Sequence, residues 1–305
     1  MTMINGKTEF LGLLGNPVKH SLSPVMHNAA LAEMNMNWCY IAMPCETNNL
    51  KTVLKGLSAL NFQGLNVTIP HKNTITKFCD ELTPLAQRLG AVNTLVLNKS
   101  HGWIGSNTDV EGFLAPLKSK NYAWDNRKAM VLGCGGSARA VLTGLKELGI
   151  AEITVIGRNK QRLNTFIKEM NQILTDFPKE SKSIAIKGIL ETDLELIEKI
   201  KQIDLFVNAT PIGMENDTEK PKPTLKIPLG KEIWKHLNSH SILYDLIYNP
   251  RPTEWLKWGK EQGCECIDGL EMLVQQGAAS LKIWSRKTEI PIEVMRIAAK
   301  TALLN

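Results

Sequence analysis

The hydrophobic positions of this chain fall into short apolar runs separated by stretches with the spacing of an amphipathic helix. Apolar runs of this length predict strands, and the stretches between them predict helices that bury one face. The alternation is typical of an α/β domain in which helices cover a sheet. In the first part of the chain the predicted strands are Phe10–Leu14, Trp38–Met43, Gly64–Thr68 and Ala91–Leu97, and the predicted helices are Pro24–Met36, Leu50–Leu60 and Leu82–Leu89.

The same alternation begins again after Asn107-Thr108-Asp109. Its order of strands and helices predicts a second sheet, doubly wound and Rossmann-like. Two further helices, Gly269–Trp284 and Ile292–Leu304, follow this sheet and could pack back on the first domain. The predicted strands of the second sheet are Ala129–Leu132, Ile153–Ile156, Ile184–Ile189, Leu205–Asn208 and Ile242–Leu246, and Glu215–Lys231 is predicted to be a long surface loop.

Length and composition agree with two globular domains. The chain has 305 residues, of which 43% are hydrophobic and 22% charged. No apolar run approaches the roughly 20 residues of a membrane helix, and the first residues lack the pattern of a secretory signal, so we expect a cytoplasmic protein with no membrane partner. The net charge of +6 comes from scattered lysines, which favours small anionic ligands over nucleic acid.

Cysteines and histidines give no indication of a metal site. The six cysteines contain no C-x-x-C pair, so we interpret them as reduced thiols, most of them in the core. His236 and His240 stand four residues apart, as helical zinc ligands can, but no third ligand lies near them in the sequence. They are interpreted as surface histidines, and no metal is expected.

A glycine-rich turn follows the predicted strand Ala129–Leu132. The sequence Gly133-Cys134-Gly135-Gly136-Ser137 leads from this strand into a helix-like stretch, Ala138–Leu148. Glycines let the backbone approach a pyrophosphate, and the amides of a helix N-terminus point towards it. The turn therefore predicts a dinucleotide site, although the same residues also serve as a simple helix entry.

The end of the next strand indicates which dinucleotide is bound. An NAD-binding domain carries an acidic side chain about 20 residues after the first glycine, where it holds the ribose hydroxyls. Here the strand Ile153–Ile156 runs into Gly157-Arg158-Asn159-Lys160-Gln161-Arg162, which contains no acid. Arg158, with Arg162 as a second charge, can meet a 2′-phosphate, so the sequence predicts NADP, with a solvated basic turn as the alternative.

Candidate substrate-binding side chains stand near the ends of the first domain's strands. Ser21 and Ser23 are two residues apart, so in extended chain their hydroxyls project from one side. With the following helix N-terminus they suit a carboxylate, although Ser23 as an N-cap before Pro24 explains the same pattern. Three more polar residues, each on its own a turn signal or a solvated group, are Lys72, Asn93 and Asp109.

Together these segments resemble the shikimate dehydrogenase family over almost the whole chain. Each piece is weak alone, but their order and spacing are those of the family. The matching pieces are Ser21-Leu22-Ser23-Pro24, Asn66-Val67-Thr68-Ile69-Pro70-His71-Lys72, Ala91-Val92-Asn93-Thr94, Asn107-Thr108-Asp109, Gly133-Cys134-Gly135-Gly136, Asn208-Ala209-Thr210-Pro211-Ile212-Gly213-Met214 and Asp268-Gly269-Leu270-Glu271-Met272-Leu273.

The resemblance implies a fold, a reaction and a set of contacts. A substrate-binding domain, 1–112 completed by 268–305, would accompany a Rossmann-like NADP-binding domain, 113–267, in a monomer or homodimer. The family's reaction is the reversible reduction of 3-dehydroshikimate to shikimate by NADPH, in aromatic amino-acid biosynthesis. The implied substrate contacts are Ser21 and Ser23 on the carboxylate, Thr68, Lys72, Asn93, Asp109 and Gln276 on the ring hydroxyls, and Tyr248. The implied cofactor contacts are Gly133, Cys134, Gly135, Gly136, Ser137, Gly157, Arg158, Asn159, Arg162, Leu246 and Gly269.

Lys72 and Asp109 are the candidate catalytic residues. We expect protonated Lys72 to donate a proton to the carbonyl oxygen during reduction, while Asp109 pairs with Lys72 and a substrate hydroxyl. His71 is adjacent to Lys72, but neighbours in an extended stretch tend to point in opposite directions. Two departures from the family are Gly157, where the family often has Asn, and the long segment after Met214.

Three alternatives remain at this point. A quinate/shikimate dehydrogenase that uses NAD shares the fold and most motifs, but the missing acid after Ile153–Ile156 argues against it. A non-catalytic sensor of shikimate-like metabolites has no need of Lys72 and Asp109. A folate dehydrogenase of similar architecture lacks support from Ser21 and Ser23.

Overall fold

The chain divides into two compact units, each with its own six-stranded sheet. The first unit comprises Met1–Gly112 and Leu273–Asn305, and the second comprises Phe113–Met272. The prediction of an α/β domain completed by C-terminal helices and a Rossmann-like domain is confirmed. This computed structural model describes residues 4–100, 102–120, 122–175, 184–214 and 227–304.

Strands and helices alternate along the described residues of both units. The strands are β1 Glu9–Gly15, β2 Trp38–Pro44, β3 Gly64–Val67, β4 Glu81–Leu82, β5 Thr94–Asn98, β6 Gly102–Ser106, β7 Lys128–Leu132, β8 Glu152–Gly157, β9 Ala185–Leu190, β10 Leu205–Asn208, β11 Ile242–Asp245 and β12 Glu265–Ile267. The helices are α1 Ser23–Glu33, α2 Leu50–Ala59, α3 Pro84–Leu89, α4 Asp109–Lys118, α5 Gly136–Glu147, α6 Lys160–Thr175, α7 Glu195–Ile200, α8 Lys231–Trp234, α9 Glu254–Glu261, α10 Leu270–Ser285 and α11 Ile292–Ala302.

The first sheet has the strand order β2-β1-β3-β5-β6-β4. Strands β2, β1 and β3 run parallel, whereas β5 is antiparallel to both β3 and β6. The hairpin of β5 and β6 pairs Thr94 with Ser106 at its open end. It therefore brings the residue before β5, Asn93, close to the segment that follows β6.

The C-terminal helices complete the core of the first unit. Trp284 of α10 lies beneath the sheet, and its indole nitrogen donates a hydrogen bond of 2.9 Å to the carbonyl oxygen of Leu95. A Cβ at Gly64 would lie 2.0 Å from the same nitrogen, so only glycine permits this close approach. Helix α11 packs along α1 on the same unit.

The second sheet is parallel throughout, with the order β12-β11-β10-β7-β8-β9. The chain moves outwards from β7 through β8 to β9, and then returns to the other side of β7 with β10. The point at which the order reverses lies between β7 and β10, which is where doubly wound sheets bind ligands beyond their carboxyl ends. A cluster of packed aromatic side chains fills one face of this unit: Phe206, Trp234 and Trp255.

Several elements differ from the sequence-based prediction. Strands β4 and β6 and helix α4 were not predicted, because small and polar residues interrupt their apolar patterns. Helix α1 ends at Glu33 rather than Met36, since Asn35 adopts a left-handed φ of 53°. Within the loop predicted at Glu215–Lys231, residues 215–226 lie outside the described part, and Lys231 already begins α8.

The cysteines are free thiols, as predicted, but most of them do not lie in the core. All six cysteines are free; Cys45 and Cys264 are buried, and the other four are partly buried. His236 and His240 are exposed and follow the end of α8, so they do not share a helix. Across the described ranges, no cluster of side chains could hold a metal ion, and no helix combines the length and apolar content of a membrane span.

Candidate functional site

A buried ion pair forms the centre of the polar cluster in the first unit. The Nζ atom of Lys72 lies 2.6 Å from Oδ2 of Asp109. The Lys72 side chain is 14% exposed and that of Asp109 is 5% exposed, so the pair is largely removed from water while the amine keeps a path to the surface. An ammonium group has three N–H donors, which leaves two of them available beyond the bond to Asp109.

Hydrogen bonds and the start of a helix fix the backbone at Asp109. Asp109 is the first residue of α4, where a negative charge is favoured by the helix dipole. Its amide donates a 3.0 Å hydrogen bond to Oδ1 of Asn107, which in turn donates through Nδ2 to the carbonyl of Ala91. These bonds hold the backbone at Asp109, while Lys72 holds its carboxylate.

Asn93 connects this carboxylate to the C-terminal helix α10. Its Nδ2 atom lies 2.9 Å from Oδ1 of Asp109 and 3.2 Å from Oε1 of Gln276. Its Oδ1 atom accepts from the amide of Thr108 at 2.8 Å. Four of the residues predicted from the resemblance are thus joined by direct hydrogen bonds: Lys72, Asn93, Asp109 and Gln276.

His71 has a structural role that separates it from Lys72. The imidazole is fully buried, with Nε2 at 2.7 Å from the carbonyl of Cys45 and Nδ1 at 3.4 Å from the Thr47 hydroxyl. Both ring nitrogens therefore have protein partners other than the ion pair. This agrees with the expectation that the two neighbouring side chains point in different directions.

The two serines lie at the start of α1, but neither is its N-cap in the way the sequence suggested. The helix begins at Ser23 itself, and its N-cap, Leu22, makes no side-chain capping bond. The amide of Ser23 donates a 3.2 Å hydrogen bond to Oγ of Ser21. The capping interpretation is therefore wrong, and the hydroxyl of Ser23 is buried instead, with 4% of the residue exposed.

Thr68 directly follows β3, and its methyl group packs against Gly15. A Cβ at Gly15 would lie 2.3 Å from this methyl group, so a larger residue would displace the threonine. The side chain of Thr68 is partly buried. No hydrogen bond among the described residues joins Thr68 or Ser21 to the ion pair, so their substrate contacts stay predictions.

Several buried polar residues complete the cluster and were not predicted as site residues. Asn66 lies in β3 between Leu65 and Val67, where the strand is otherwise apolar. A polar side chain in a buried strand needs hydrogen-bond partners, and this was a signal that the sequence did contain. The other members are Thr94, Thr108 and Ser280, and their exposures do not exceed 4%.

The glycine turn of the second unit joins β7 to α5. Gly133 has a φ of 114°, which favours glycine, and its amide donates to the carbonyl of Ile156 in β8. A Cβ at this position would also lie 3.1 Å from the carbonyl oxygen of Ala209. Gly135 has no atom within 4 Å of such a Cβ, so the space in front of it is open. Helix α5 begins at Gly136, with no side-chain cap on its first amides.

The residues after β8 present positive charge without a carboxylate in the turn. Arg158 and Arg162 are exposed, and Oδ1 of Asn159 accepts from the amide of Arg162 at 2.9 Å, which orders the start of α6. Gly157 lies beside Cys134: a Cβ at Gly157 would be 3.4 Å from the Cys134 sulfur. The thiol thus borders the space that a side chain at position 157 would enter.

The remaining cofactor candidates, Leu246 and Gly269, are in contact. A Cβ at Gly269 would lie 2.0 Å from the carbonyl oxygen of Leu246, and the Gly269 amide donates to the carbonyl of Ile247. Leu246 follows β11 and Gly269 follows β12. With the residues after β7 and β8, the predicted cofactor contacts therefore lie at the carboxyl ends of four strands of the parallel sheet. Tyr248 is a partly buried residue of the second unit, between β11 and α9, and its substrate role stays a prediction.

A buried carboxylate organises the ends of β10 and β11. Asp245 is fully buried and accepts hydrogen bonds from Nδ2 of Asn208 at 3.0 Å, from the amide of Ile247 at 3.2 Å and from the hydroxyl of Thr253 at 2.8 Å. Burial raises the pKa of Asp245 to about 7, although these hydrogen bonds oppose the shift. Asp245 was not predicted as a functional residue.

The second unit has the features that NADP requires. The open space at Gly135 and the uncapped amides of α5 suit a pyrophosphate, because donors and the helix dipole point to the same place. Arg158 and Arg162 suit the 2′-phosphate that distinguishes NADP from NAD. The residues present therefore fit this cofactor.

Comparisons with known proteins assign the chain to one family over nearly its whole length. Residues 13–95 match the family model of the shikimate dehydrogenase substrate binding domain, and residues 269–300 match that of the shikimate 5′-dehydrogenase C-terminal domain. The shikimate dehydrogenase (NADP(+)) of Prochlorococcus marinus strain AS9601 is 46% identical, with coverage of 99% of this chain and 100% of that protein. A crystal structure of a shikimate dehydrogenase in complex with NADP+ matches with a TM-score of 0.84 and 36% identity, over 99% of this chain and 98% of that one. The shikimate 5-dehydrogenase of Thermus thermophilus in complex with NADP(H) and shikimate matches with a TM-score of 0.78 and 32% identity, over 97% and 100% of the two chains. The chain therefore belongs to the family of NADP-dependent shikimate dehydrogenases.

Proposed function

We propose that this chain reduces 3-dehydroshikimate to shikimate with NADPH and that Lys72 supplies the proton. The observation that carries the proposal is the 2.6 Å ion pair between Lys72 and Asp109. Bound NADPH supplies the hydride, which leaves the protein to orient the substrate and to place a proton donor at the carbonyl oxygen. General acid catalysis of this kind contributes about 10²–10⁴-fold to a rate.

Asp109 has two roles in the proposal. Its Oδ2 atom accepts a hydrogen bond from the Lys72 ammonium and holds it in place. Its Oδ1 atom is held by Asn93 at 2.9 Å, so the carboxylate cannot rotate freely. In the reverse direction the same amine takes the proton from the shikimate hydroxyl.

Polar side chains provide the specificity for a small, hydroxylated acid. We assign the ring hydroxyls to Thr68, Asn93 and Gln276, and the carboxylate to the hydroxyls of Ser21 and Ser23. A buried donor or acceptor left unpaired costs about 1–3 kcal/mol, so an analogue that lacks one hydroxyl is rejected by this arrangement. Tyr248 is proposed as a further substrate contact.

The cofactor half of the proposal uses the carboxyl ends of the second sheet. The turn from Gly133 to Ser137 would hold the pyrophosphate, and Arg158 and Arg162 would hold the 2′-phosphate. Leu246 and Gly269, which are in contact, would line the remaining part of the site. The domain roles follow: 1–112 with the C-terminal helices binds substrate, and the Rossmann-like unit binds NADP.

Compartment and assembly complete the proposal. Six free thiols suit a reducing environment, and we place the protein in the cytoplasm. We propose a monomer or a homodimer. Sedimentation velocity of the purified chain measures the assembly, and a species larger than a dimer would contradict it.

A matrix of substrates and cofactors tests the proposed activity. The wild-type protein is assayed for oxidation of shikimate and of quinate, each with NADP+ and NAD+, by the absorbance of the reduced nicotinamide. We expect the highest kcat/KM for shikimate with NADP+. Equal values for the two cofactors, or faster turnover of quinate, would favour the NAD-dependent alternative, and no turnover in any combination would favour the metabolite sensor.

A further inference from the structure

Tyr40 is a buried tyrosine of the first unit whose ring and backbone are both held by neighbouring side chains. It lies in β2, is 1% exposed, and stacks on the His27 ring at a centroid distance of 4.3 Å. Asn28 fixes its backbone from both sides, since Oδ1 accepts from the Tyr40 amide and Nδ2 donates to the Tyr40 carbonyl. The phenol is thereby held at one place inside the unit.

The Tyr40 hydroxyl contributes to the orientation of Asn66. It donates a 2.8 Å hydrogen bond to Oδ1 of Asn66, and among the described residues no other group donates to this oxygen. The amide nitrogen of Asn66 must then face the opposite way. There it donates to Oγ of Ser280 at 2.9 Å and to the carbonyl of Asn93 at 3.1 Å.

The bonds continue from Asn66 to the ion pair without a gap. The hydroxyls of Ser280 and Thr94 are 2.8 Å apart, and Thr94 donates to Oδ1 of Asn93 at 3.0 Å. Nδ2 of Asn93 donates to Asp109, which holds Lys72. Either hydroxyl can be the donor between Ser280 and Thr94, whereas the amide bonds of Asn66 and Asn93 have a fixed direction. A change of orientation at Asn66 therefore alters the hydrogen bonding at Asn93.

We propose that Tyr40 is a positioning residue for catalysis: its hydroxyl holds Asn66 and, through Asn93, the orientation of the Asp109 carboxylate. The inference rests on the proposed function, because it assigns Asp109 and Lys72 to the reacting end of the substrate. Tyr40 itself touches neither substrate nor cofactor in this account.

The chain offers a matched control for removal of this hydroxyl. Tyr244 is also fully buried and also stacked on an aromatic ring, that of Phe113, at 5.2 Å. Its hydroxyl has no hydrogen-bond partner among the described residues. Tyr40→Phe and Tyr244→Phe therefore remove the same atom from similar surroundings, but only the first removes a connection.

Steady-state kinetics of the two variants tests the proposal, at a temperature where circular dichroism shows both to be folded. We expect Tyr40→Phe to lower kcat/KM for shikimate by about tenfold or more, because small displacements of catalytic groups have large effects on rate. The KM for NADP+ should stay within about twofold, and Tyr244→Phe should stay within about twofold in every parameter.

Each other outcome is decisive. A Tyr40→Phe enzyme within about twofold of wild type in kcat/KM, whatever its melting temperature, would show that Tyr40 only packs. An equal loss in Tyr244→Phe, or an equal rise in the KM for NADP+, would show a general effect of disturbing a core. If Tyr40→Phe does not fold, Asn66→Ala removes the next group of the path, and full activity in that variant would overturn the proposal. A wild-type protein without shikimate turnover would instead remove the proposed function.

Discussion

A buried histidine gives this protein a pH-dependent stability that can be calculated from its surroundings. His27 is fully buried between Tyr40 and Trp284, and neither ring nitrogen has a hydrogen-bond partner among the described residues. Burial lowers the pKa of His27 from 6.5 to about 3, because the apolar surroundings disfavour the charged form. The folded state therefore keeps this imidazole neutral where the unfolded chain would protonate it.

The sign and size of the effect follow from proton linkage. Above a pH of about 6.5 both states are neutral and His27 has no influence on the pH dependence. As the pH falls from 6.5 towards 3, only the unfolded state gains the proton, so the free energy of unfolding falls. The slope is about 1.4 kcal/mol per pH unit, which gives a loss of about 2 kcal/mol near pH 5.

Replacement of the histidine isolates this term. His27→Leu keeps a similar volume and removes the titrating group, and His240→Gln is the control because His240 is exposed. Free energies of unfolding from urea titrations at several pH values between about 5 and 7.5 should fall less steeply with acid in His27→Leu than in wild type. His240→Gln should follow the wild-type slope. If wild type and His27→Leu have parallel pH profiles, the histidine is not held neutral by burial and the reasoning fails.

Three further predictions concern the second unit. Arg158→Ala should raise the KM for NADP+ by about 10–100-fold, because it removes the proposed partner of the 2′-phosphate. The KM for NAD+ should stay within about twofold. An equal change in KM for both cofactors in steady-state assays would reject this role. Gly269→Ala should lower the free energy of unfolding by about 1–3 kcal/mol, since its Cβ would lie 2.0 Å from the Leu246 carbonyl oxygen. Gly56→Ala, in a helix with no atom within 4 Å of the new Cβ, should be neutral or stabilising, and similar thermal shifts in both variants would contradict the packing argument. Asp245 has its pKa raised from 3.8 to about 7, so stability is lost as pH rises through that range; Asp245→Asn should flatten this part of the profile in urea unfolding, and an unchanged profile would show that the carboxyl is ionised throughout.

The strands that are buried on both faces were predictable from the sequence. Parallel strands covered on both faces read as continuous apolar runs, and β10 was predicted with the bounds that the structure has. Strand β6 was missed because glycine and serine interrupt it, and it is stabilised instead by pairing with β5 and by a bond from the Trp103 amide to Asp80. The start of α1 was misjudged by one residue, because the sequence cannot show whether a serine hydroxyl caps a helix or turns into the core.

The site was predictable only in part. Residue patterns alone presented Lys72, Asn93 and Asp109 as turn signals or solvated groups, and the resemblance to the family was needed to group them. Their direct hydrogen bonds depend on the hairpin of β5 and β6, which the sequence pattern did not reveal. Tyr40 and Ser280 are far away in the sequence and give no local signal, since a tyrosine in a strand and a serine in a helix are ordinary core residues.

The central claim is that the amine at position 72 transfers the proton, and replacing that amine tests it most directly. Lys72→Met keeps the length and most of the volume of the side chain, and Lys77→Met, at an exposed position nearby in sequence, serves as the control. For shikimate oxidation with NADP+, we expect kcat of Lys72→Met to fall by about 10²–10⁴-fold with a much smaller change in KM, while Lys77→Met behaves as wild type. A kcat for Lys72→Met within about threefold of wild type would contradict the account.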